Sequence, residues 1–144
     1  MWFKVYKILL ATDGSEHANR AVEQTLFLAG SIPQSEVTLI HVSSKIPPRE
    51  KLFESNFNVL SILEDQAHDA LKQTEKQFQE QGIDYRLEVA WGDPASEIVN
   101  QAKREGSQVI IIGSRGLGRL SEVIMGSVSQ RVLHEAHCPV MIVK

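Results

Sequence analysis

The sequence has almost no cysteine, and this scarcity limits both its covalent chemistry and the compartment that suits it. Its one cysteine, Cys138, cannot form a disulfide within the chain. Disulfides persist in oxidising compartments and are rare in the cytoplasm. We therefore expect a cytoplasmic protein whose fold needs no covalent cross-link.

The sequence also has no long hydrophobic run and no concentration of positive charge. Its apolar start, MWFKVYKILLATDG, is interrupted by Lys4 and Lys7 and is too short to span a bilayer. The formal net charge is −3, with both signs interspersed. Nucleic-acid binding needs a concentrated positive surface. We expect neither a membrane nor a nucleic acid as partner, although one local anion site remains compatible with this charge.

What is present is an ordinary globular composition. The chain has 144 residues, of which 42% are hydrophobic and 23% charged. This length and balance are typical of one soluble domain, so we expect residues 1–144 to form a single domain.

Short apolar runs alternate with amphipathic helical patterns along the chain. Five runs predict strands, over residues 5–11, 36–42, 83–90, 108–113 and 139–143. A helix is predicted after each of the first four strands. The second of these is a long helix over residues 58–81, and it follows an irregular loop, Ser43–Asn56. This alternation predicts an α/β fold, with a parallel sheet covered by helices on both faces.

Ligands of such sheets bind beyond the carboxyl ends of the strands, at the point where strand order reverses. This rule directs attention to the loops after the first, second and fourth strands. They begin at Thr12-Asp13-Gly14, at Val42 and at Gly113.

The loop after the fourth strand, GSRGLGRLSEVIMGSVSQ, is rich in glycine and matches neither of two common phosphate-binding patterns. No lysine follows its later glycines as a P-loop requires. A dinucleotide fingerprint begun at Gly116 has Ser121 at its third glycine position. Ser127 with Gln130 three residues later predicts a capping box, which places Ser127 as the N-cap of the last helix.

A helix start is favourable for phosphate, because its free N–H groups and dipole attract an anion. Here Gly126 permits close approach of a ligand, Ser129 adds a hydroxyl, and Arg115 and Arg119 add positive charge. The residues alone leave two interpretations open. One is a cradle for a polyphosphate, and the other is a glycine-rich turn followed by an ordinary capped helix.

Three separated motifs resemble the universal stress protein family. Its nucleotide-binding signature, G-x2-G-x9-G-[ST], occurs here at Gly113, Gly116, Gly126 and Ser127. The segment KILLATDGSEHANRAV resembles the family's first strand and helix, and CPVMIVK resembles its last strand. The resemblance spans the whole chain. It implies an open, Rossmann-like five-stranded parallel sheet of order 3-2-1-4-5, and membership of the subgroup that binds ATP.

The resemblance also implies roles for individual residues. Ala11 and Thr12 would line the nucleoside, and Val42 would bond adenine through its backbone. Ala11 stands where nucleotide-binding members often have proline or another small residue. Asp13 would contact the ribose, or an Mg²⁺ or Mn²⁺ ion carried by the phosphates. The phosphates would be enclosed by Gly113, Ser114, Arg115, Gly116, Gly118, Arg119, Gly126, Ser127, Val128 and Ser129.

Several alternatives accompany this expectation. Asp13 is also compatible with a purely structural role in a turn or a helix cap. AMP or ADP could take the place of ATP as the ligand. His134, His137 and Cys138 resemble a metal cluster, but a closed zinc site needs a fourth ligand.

No nucleophile elbow or H-E-x-x-H motif is present, so we assign no catalytic residue. A slow ATPase or nucleotidyl transferase on the same fold, and a nucleotide-free interaction protein, are the rival functions. Members of the family usually dimerise through the last strand, which implies a homodimer through Pro139–Val143.

Overall fold

A computed structural model of the protein describes residues 4–115 and 125–144. Its strands are β1 Tyr6–Ala11, β2 Ser35–Ser43, β3 Tyr85–Trp91, β4 Val109–Gly113 and β5 Val140–Val143. Its helices are α1 Asn19–Ser31, α2 Arg49–Glu54, α3 Val59–Ala70, α4 Lys72–Glu80, α5 Pro94–Glu105 and α6 Ser127–Glu135. A short 3-10 turn, Glu16–Ala18, precedes α1.

The described strands form one parallel sheet of order β3-β2-β1-β4-β5. The expected fold and strand order are therefore confirmed. The chain moves outward from β1 to β2 and β3, and then crosses back to β4 on the other side of β1. The strand order thus reverses between β1 and β4, and this reversal opens a crevice at their carboxyl ends.

Alternate residues of β1 build the two apolar layers of the core. Ile8 and Leu10 pack with Val22 of α1 and Phe78 of α4, while Leu9 packs on the opposite face against α5 and α6. Ile8, Leu9 and Leu10 are all 0% exposed. Burying each of these side chains contributes about 1.5–3 kcal/mol, so the central strand is rigidly held beneath the crevice.

The helix expected over residues 58–81 is instead two helices, α3 and α4, which are separated at Leu71. The break lies where the loop after β1 packs against the helix. Gly14 has a φ of +79°, and a Cβ at this position would collide with the carbonyl oxygen of Ala70. Buried residues of both helices, such as Ala67 and Phe78, lie in the core on either side of this break.

The segment expected to be an irregular loop contains the short helix α2, none of whose residues is buried. Without a buried face, α2 has no apolar periodicity for a sequence pattern to reveal. The helix α5, in contrast, has clear sequence signals at both ends. The Asp93 carboxylate accepts a hydrogen bond from the Ser96 N–H at 3.1 Å, Pro94 is the first helical residue, and Gly106 ends the helix in the left-handed conformation.

Candidate functional site

A cavity of about 380 Å³ opens at the carboxyl ends of β1, β2 and β4, at the reversal of strand order. Residues predicted for the site from four separate segments of the chain meet on its wall. They are Ala11, Thr12, Asp13, Val42, Gly113, Arg115, Gly126, Ser127, Val128 and Ser129. Three further predicted residues, Gly116, Gly118 and Arg119, lie outside the described part of the chain.

The loop after β1 is shaped by its own side chains. Thr12 Oγ1 accepts a hydrogen bond from the Gly14 N–H at 3.2 Å, and Asp13 Oδ1 accepts one from the Ser15 N–H at 2.9 Å. Ser15 Oγ in turn accepts from the Ala18 N–H at 3.3 Å and begins the 3-10 turn. These local turns hold the Asp13 carboxylate at the cavity wall.

Gly113 ends β4 where the 3-10 turn comes close to the sheet. A Cβ at residue 113 would lie 3.3 Å from the Arg115 carbonyl oxygen and 3.5 Å from Ala18 Cα. The first distance is tight, whereas the second is an ordinary van der Waals contact. A side chain at residue 113 would therefore press mainly on the Arg115 carbonyl, at the base of the loop after β4.

Ser114 does not line the cavity, but its backbone ties the base of the loop together. Its N–H donates to the Val143 carbonyl at 2.8 Å. Its carbonyl oxygen accepts from the Gly126 N–H at 2.7 Å and from Ser129 Oγ at 3.0 Å. The residue that follows β4 is therefore attached directly to the start of α6.

The predicted capping box at the start of α6 is wrong. Gly126 is the N-cap, and its carbonyl accepts the Gln130 N–H at 3.0 Å. Ser127 is the first helical residue, so its side chain cannot take the position of an N-cap. In the described part of the chain no side chain caps α6. Its first turn, from Ser127 to Ser129, lines the cavity instead.

The remaining wall consists of residues that sequence patterns did not single out. They are Ala18, Ile40, Ser44, Pro94, Ile98 and Ile112. The isoleucines are 1–7% exposed and have the periodicity of core residues, which conceals their place at the cavity. Pro94 carries a usable signal, because it opens the helix that follows β3 at the same edge of the sheet.

Charge on the cavity wall is sparse. Among its described residues, Arg115 carries the positive charge and Asp13 the negative charge. Nearby, burial lowers the pKa of His41, and the Asp13 carboxylate partly opposes this shift. His41 is therefore neutral at pH 7 and adds no charge. One side of the cavity is thus apolar, and the other side presents backbone N–H groups and one arginine.

Across residues 4–115 and 125–144, no three His, Cys, Asp or Glu side chains are grouped to hold a metal ion. His134, His137 and Cys138 thus form no such group. In the same residues, no helix is both long enough and apolar enough to cross a membrane.

The fold and the cavity define a Rossmann-like α/β protein with an open cavity at the switch point of its sheet. Comparison with known families makes the assignment specific. The sequence model described as "Universal stress protein family" matches residues 5–144. The chain belongs to the universal stress protein family.

Individual relatives agree with this assignment. The chain is 33% identical to the universal stress protein MJ0531 of Methanocaldococcus jannaschii, over 96% of this chain and 81% of the relative. It is 31% identical to YxiE of Bacillus subtilis, over 96% of this chain and 98% of the relative. The solved structure of M. jannaschii MJ0577 is 33% identical, with a TM-score of 0.78, and the match covers 99% of this chain and 97% of that one.

Two more distant structures of the family are described as nucleotide complexes. One is the universal stress protein of Archaeoglobus fulgidus in complex with dAMP, with a TM-score of 0.68 over 99% of this chain and 100% of that one. The other is a universal stress protein in complex with cAMP, with a TM-score of 0.67 over 96% of each chain. Each is 17% identical to this chain, a level that shows a common fold.

Proposed function

We propose that this protein is an ATP-binding universal stress protein, which acts as a nucleotide-dependent regulator in a stress response. The observation that carries the proposal is the cavity at the switch point. It brings the Thr12-Asp13 loop to the same wall as Gly113, Gly126 and Ser127, which are three of the four residues of the nucleotide-binding signature.

The phosphates would lie at the start of α6. Its first-turn N–H groups have no side-chain cap among the described residues, and the positive end of its dipole faces the cavity. Arg115 supplies a full positive charge. The Ser129 hydroxyl already donates to the Ser114 carbonyl, so the exposed Ser127 hydroxyl is the better donor to a phosphate.

The nucleoside would occupy the apolar side of the cavity. Ala11, Ile40, Val42 and Ile98 offer a surface suited to a flat base, and the Val42 backbone would bond adenine. Asp13 would face the ribose, or bind Mg²⁺ or Mn²⁺ together with the phosphates. The carboxylate would otherwise repel the ligand, and a metal ion removes this conflict.

The complexes of distant relatives with dAMP and cAMP support the adenine class of ligand. ATP, as the preferred member of this class, is supported by the G-x2-G-x9-G-[ST] signature in the chain. The proposal also includes a cytoplasmic homodimer formed through β5.

Isothermal titration with ATP and Mg²⁺ tests the proposal directly. The protein should release or absorb heat on binding, and its Tm should rise in millimolar ATP by mass action. Ser127→Asp should abolish both effects, because a carboxylate at the helix start repels the phosphates. It should not harm folding, because an acidic residue in the first turn stabilises a helix.

Ser61→Asp is the matched control, since it makes the same change in the first turn of α3, away from the cavity wall. It should bind ATP as the unaltered protein does. Absence of heat and of any thermal shift in millimolar ATP would contradict the proposal. Adenine nucleotide released from the purified protein by denaturation and identified by chromatography would support it independently.

A further inference from the structure

Two helices, α5 and α6, line the cavity side by side, and an ion pair joins them just outside it. We propose that Asp93 and Arg131 are a positioning pair, which sets the spacing between the starts of α5 and α6 and thereby the affinity of the cavity for nucleotide. This inference rests on the proposed function for the identity of the ligand. The geometry of the Asp93–Arg131 pair itself is observed without any ligand.

The contacts place the pair at the junction of the two helices. Arg131 Nη1 lies 2.9 Å from Asp93 Oδ1 and 2.8 Å from Asp93 Oδ2. Arg131 Nη2 lies 3.3 Å from Ser96 Oγ, in the first turn of α5. The Arg131 guanidinium on α6 therefore contacts both the N-cap residue and the first turn of α5.

Both partners are close in sequence to residues of the cavity wall. Asp93 directly precedes Pro94, and Arg131 lies one helical turn after Ser127. A movement of α6 relative to α5 would therefore change the distance between the apolar wall at Pro94 and the N–H groups at Ser127. That distance decides whether a nucleotide contacts both ends of the cavity at once.

The pair is poorly suited to a role in overall stability. Arg131 and Asp93 have side chains that are 46% and 49% exposed, and exposed ion pairs contribute little to the free energy of unfolding. Beneath the pair, the helices meet through apolar residues such as Ala95 and Val132. This apolar layer provides most of the cohesion between the helices. The directional ion pair adds a defined distance between them at the end that flanks the cavity.

The pair also persists across a wide pH range. Hydrogen bonds from the Ser96 side chain and backbone, together with Arg131, hold the pKa of the Asp93 carboxyl below its usual range. The same carboxylate caps α5 and binds Arg131. The start of α5 and the bridge to α6 are therefore fixed by one group.

Two substitutions distinguish a positioning role of the pair from a direct electrostatic effect on the phosphates. The two roles predict different directions of change in ATP affinity. Asp93→Asn keeps a good N-cap but removes a negative charge, and Arg131→Met keeps the length of the side chain but removes a positive charge. If these charges acted directly on the phosphates, Asp93→Asn would tighten ATP binding and Arg131→Met would weaken it. A positioning pair predicts that both variants bind more weakly, by about three- to tenfold in Kd, which is a usual coupling between neighbouring residues.

The double variant and a control complete the experiment. The Asp93→Asn, Arg131→Met protein should bind no more weakly than either single variant, because the same bridge is lost in all three. Glu135→Gln removes the other carboxylate near Arg131, at 3.5 Å, and leaves the bridge to α5 intact. It should bind ATP like the unaltered protein. Opposite or additive effects of the single variants would overturn the inference.

A measurement without nucleotide separates this inference from the proposed function. Hydrogen exchange at the Gly126 and Gln130 amides, which donate to the Ser114 and Gly126 carbonyls, should be faster in both bridge variants than in the unaltered protein and in Glu135→Gln. Equal rates in all four proteins would overturn the inference even if ATP binds. Faster exchange in a protein that fails to bind ATP would support it and reject the proposed function alone.

Discussion

At the scale of single residues, the two serines in the first turn of α6 have opposite surroundings. Ser129 is 3% exposed, and its hydroxyl donates to the Ser114 carbonyl at 3.0 Å. Ser127 is exposed and lines the cavity. The hydroxyl of Ser129 is therefore committed to the fold, whereas that of Ser127 faces the space where a ligand would bind.

Alanine at each position should separate these roles. Ser129→Ala should lower the free energy of unfolding by about 1 kcal/mol, the usual net value of one hydrogen bond. Ser127→Ala should leave this free energy unchanged and raise the Kd for ATP. Urea unfolding and calorimetric titration of both variants measure the two effects. A loss of stability in Ser127→Ala that equals the loss in Ser129→Ala would contradict this division.

At the scale of secondary-structure elements, side chains bridge the junction of α3 and α4. His68 Nδ1 of α3 lies 2.8 Å from Glu75 Oε2 of α4, on the other side of Leu71. The Tyr85 hydroxyl of β3 donates to Glu75 Oε1 at 2.9 Å. The hydrogen bond to Glu75 raises the pKa of His68. The junction is therefore most strongly bridged when His68 is protonated.

This geometry predicts a pH-dependent contribution to stability. Because the folded-state pKa of His68 is raised, its contribution is complete below the unfolded value of about 6.5 and is lost as pH rises through the folded pKa. The unaltered protein should therefore exceed His68→Gln in stability at about pH 5.5, and the difference should fade by about pH 8.5.

Urea unfolding at both pH values measures the difference between the two proteins. Glu75→Gln should remove the same pH-dependent advantage, because it removes the partner of His68. A difference between the unaltered protein and His68→Gln that grows with rising pH would contradict the prediction.

At the scale of the whole molecule, β5 lies at one edge of the described sheet with both faces packed. Met141 and Val143 contact one apolar layer, and Val140 and Ile142 contact the other. Its only strand neighbour in residues 4–115 and 125–144 is β4. An apolar edge strand of this kind favours pairing with a second copy of the chain.

The direction of the backbone in β5 suggests a clean test of this dimer. The Pro139 and Val143 carbonyls bond the Ile110 and Ser114 N–H groups of β4. In a parallel pair, residues at alternate positions direct their backbone groups away from the partner strand, so the Ile142 N–H points outward. Ile142→Pro should therefore remove an intermolecular donor while leaving the ladder with β4 intact.

Light scattering coupled to gel filtration should show a dimer for the unaltered protein and a monomer for Ile142→Pro. Ile142→Ala is the matched control, since it loses apolar volume but keeps the N–H, and it should stay dimeric. Circular dichroism checks that both variants fold. A monomeric unaltered protein at micromolar concentration would show that β5 is not the interface.

Much of the fold and part of the candidate site can be predicted from the sequence alone, because local sequence patterns determine local secondary structure. The buried run Val109–Ile112 predicts a strand covered on both faces, and Asp93 with Pro94 predicts the start of α5. Strand and helix alternation then predicts a parallel sheet, and the switch-point rule places Asp13 and Gly113 near one site. The strand and helix signals depend on residues that are adjacent or regularly spaced in the chain, and the nearness of Asp13 and Gly113 follows from them through a general rule for such sheets.

Only the tertiary structure decided the features that depend on contacts between distant segments. The helix break at Leu71 lies where Ala70 meets Gly14. The tie from Gly126 to Ser114, rather than a serine cap, defines the start of α6. Ile98 has the pattern of a core residue, yet it lines the cavity. Local periodicity cannot distinguish these cases, because packing between segments far apart in sequence determines which side chain, carbonyl or N–H group meets which partner.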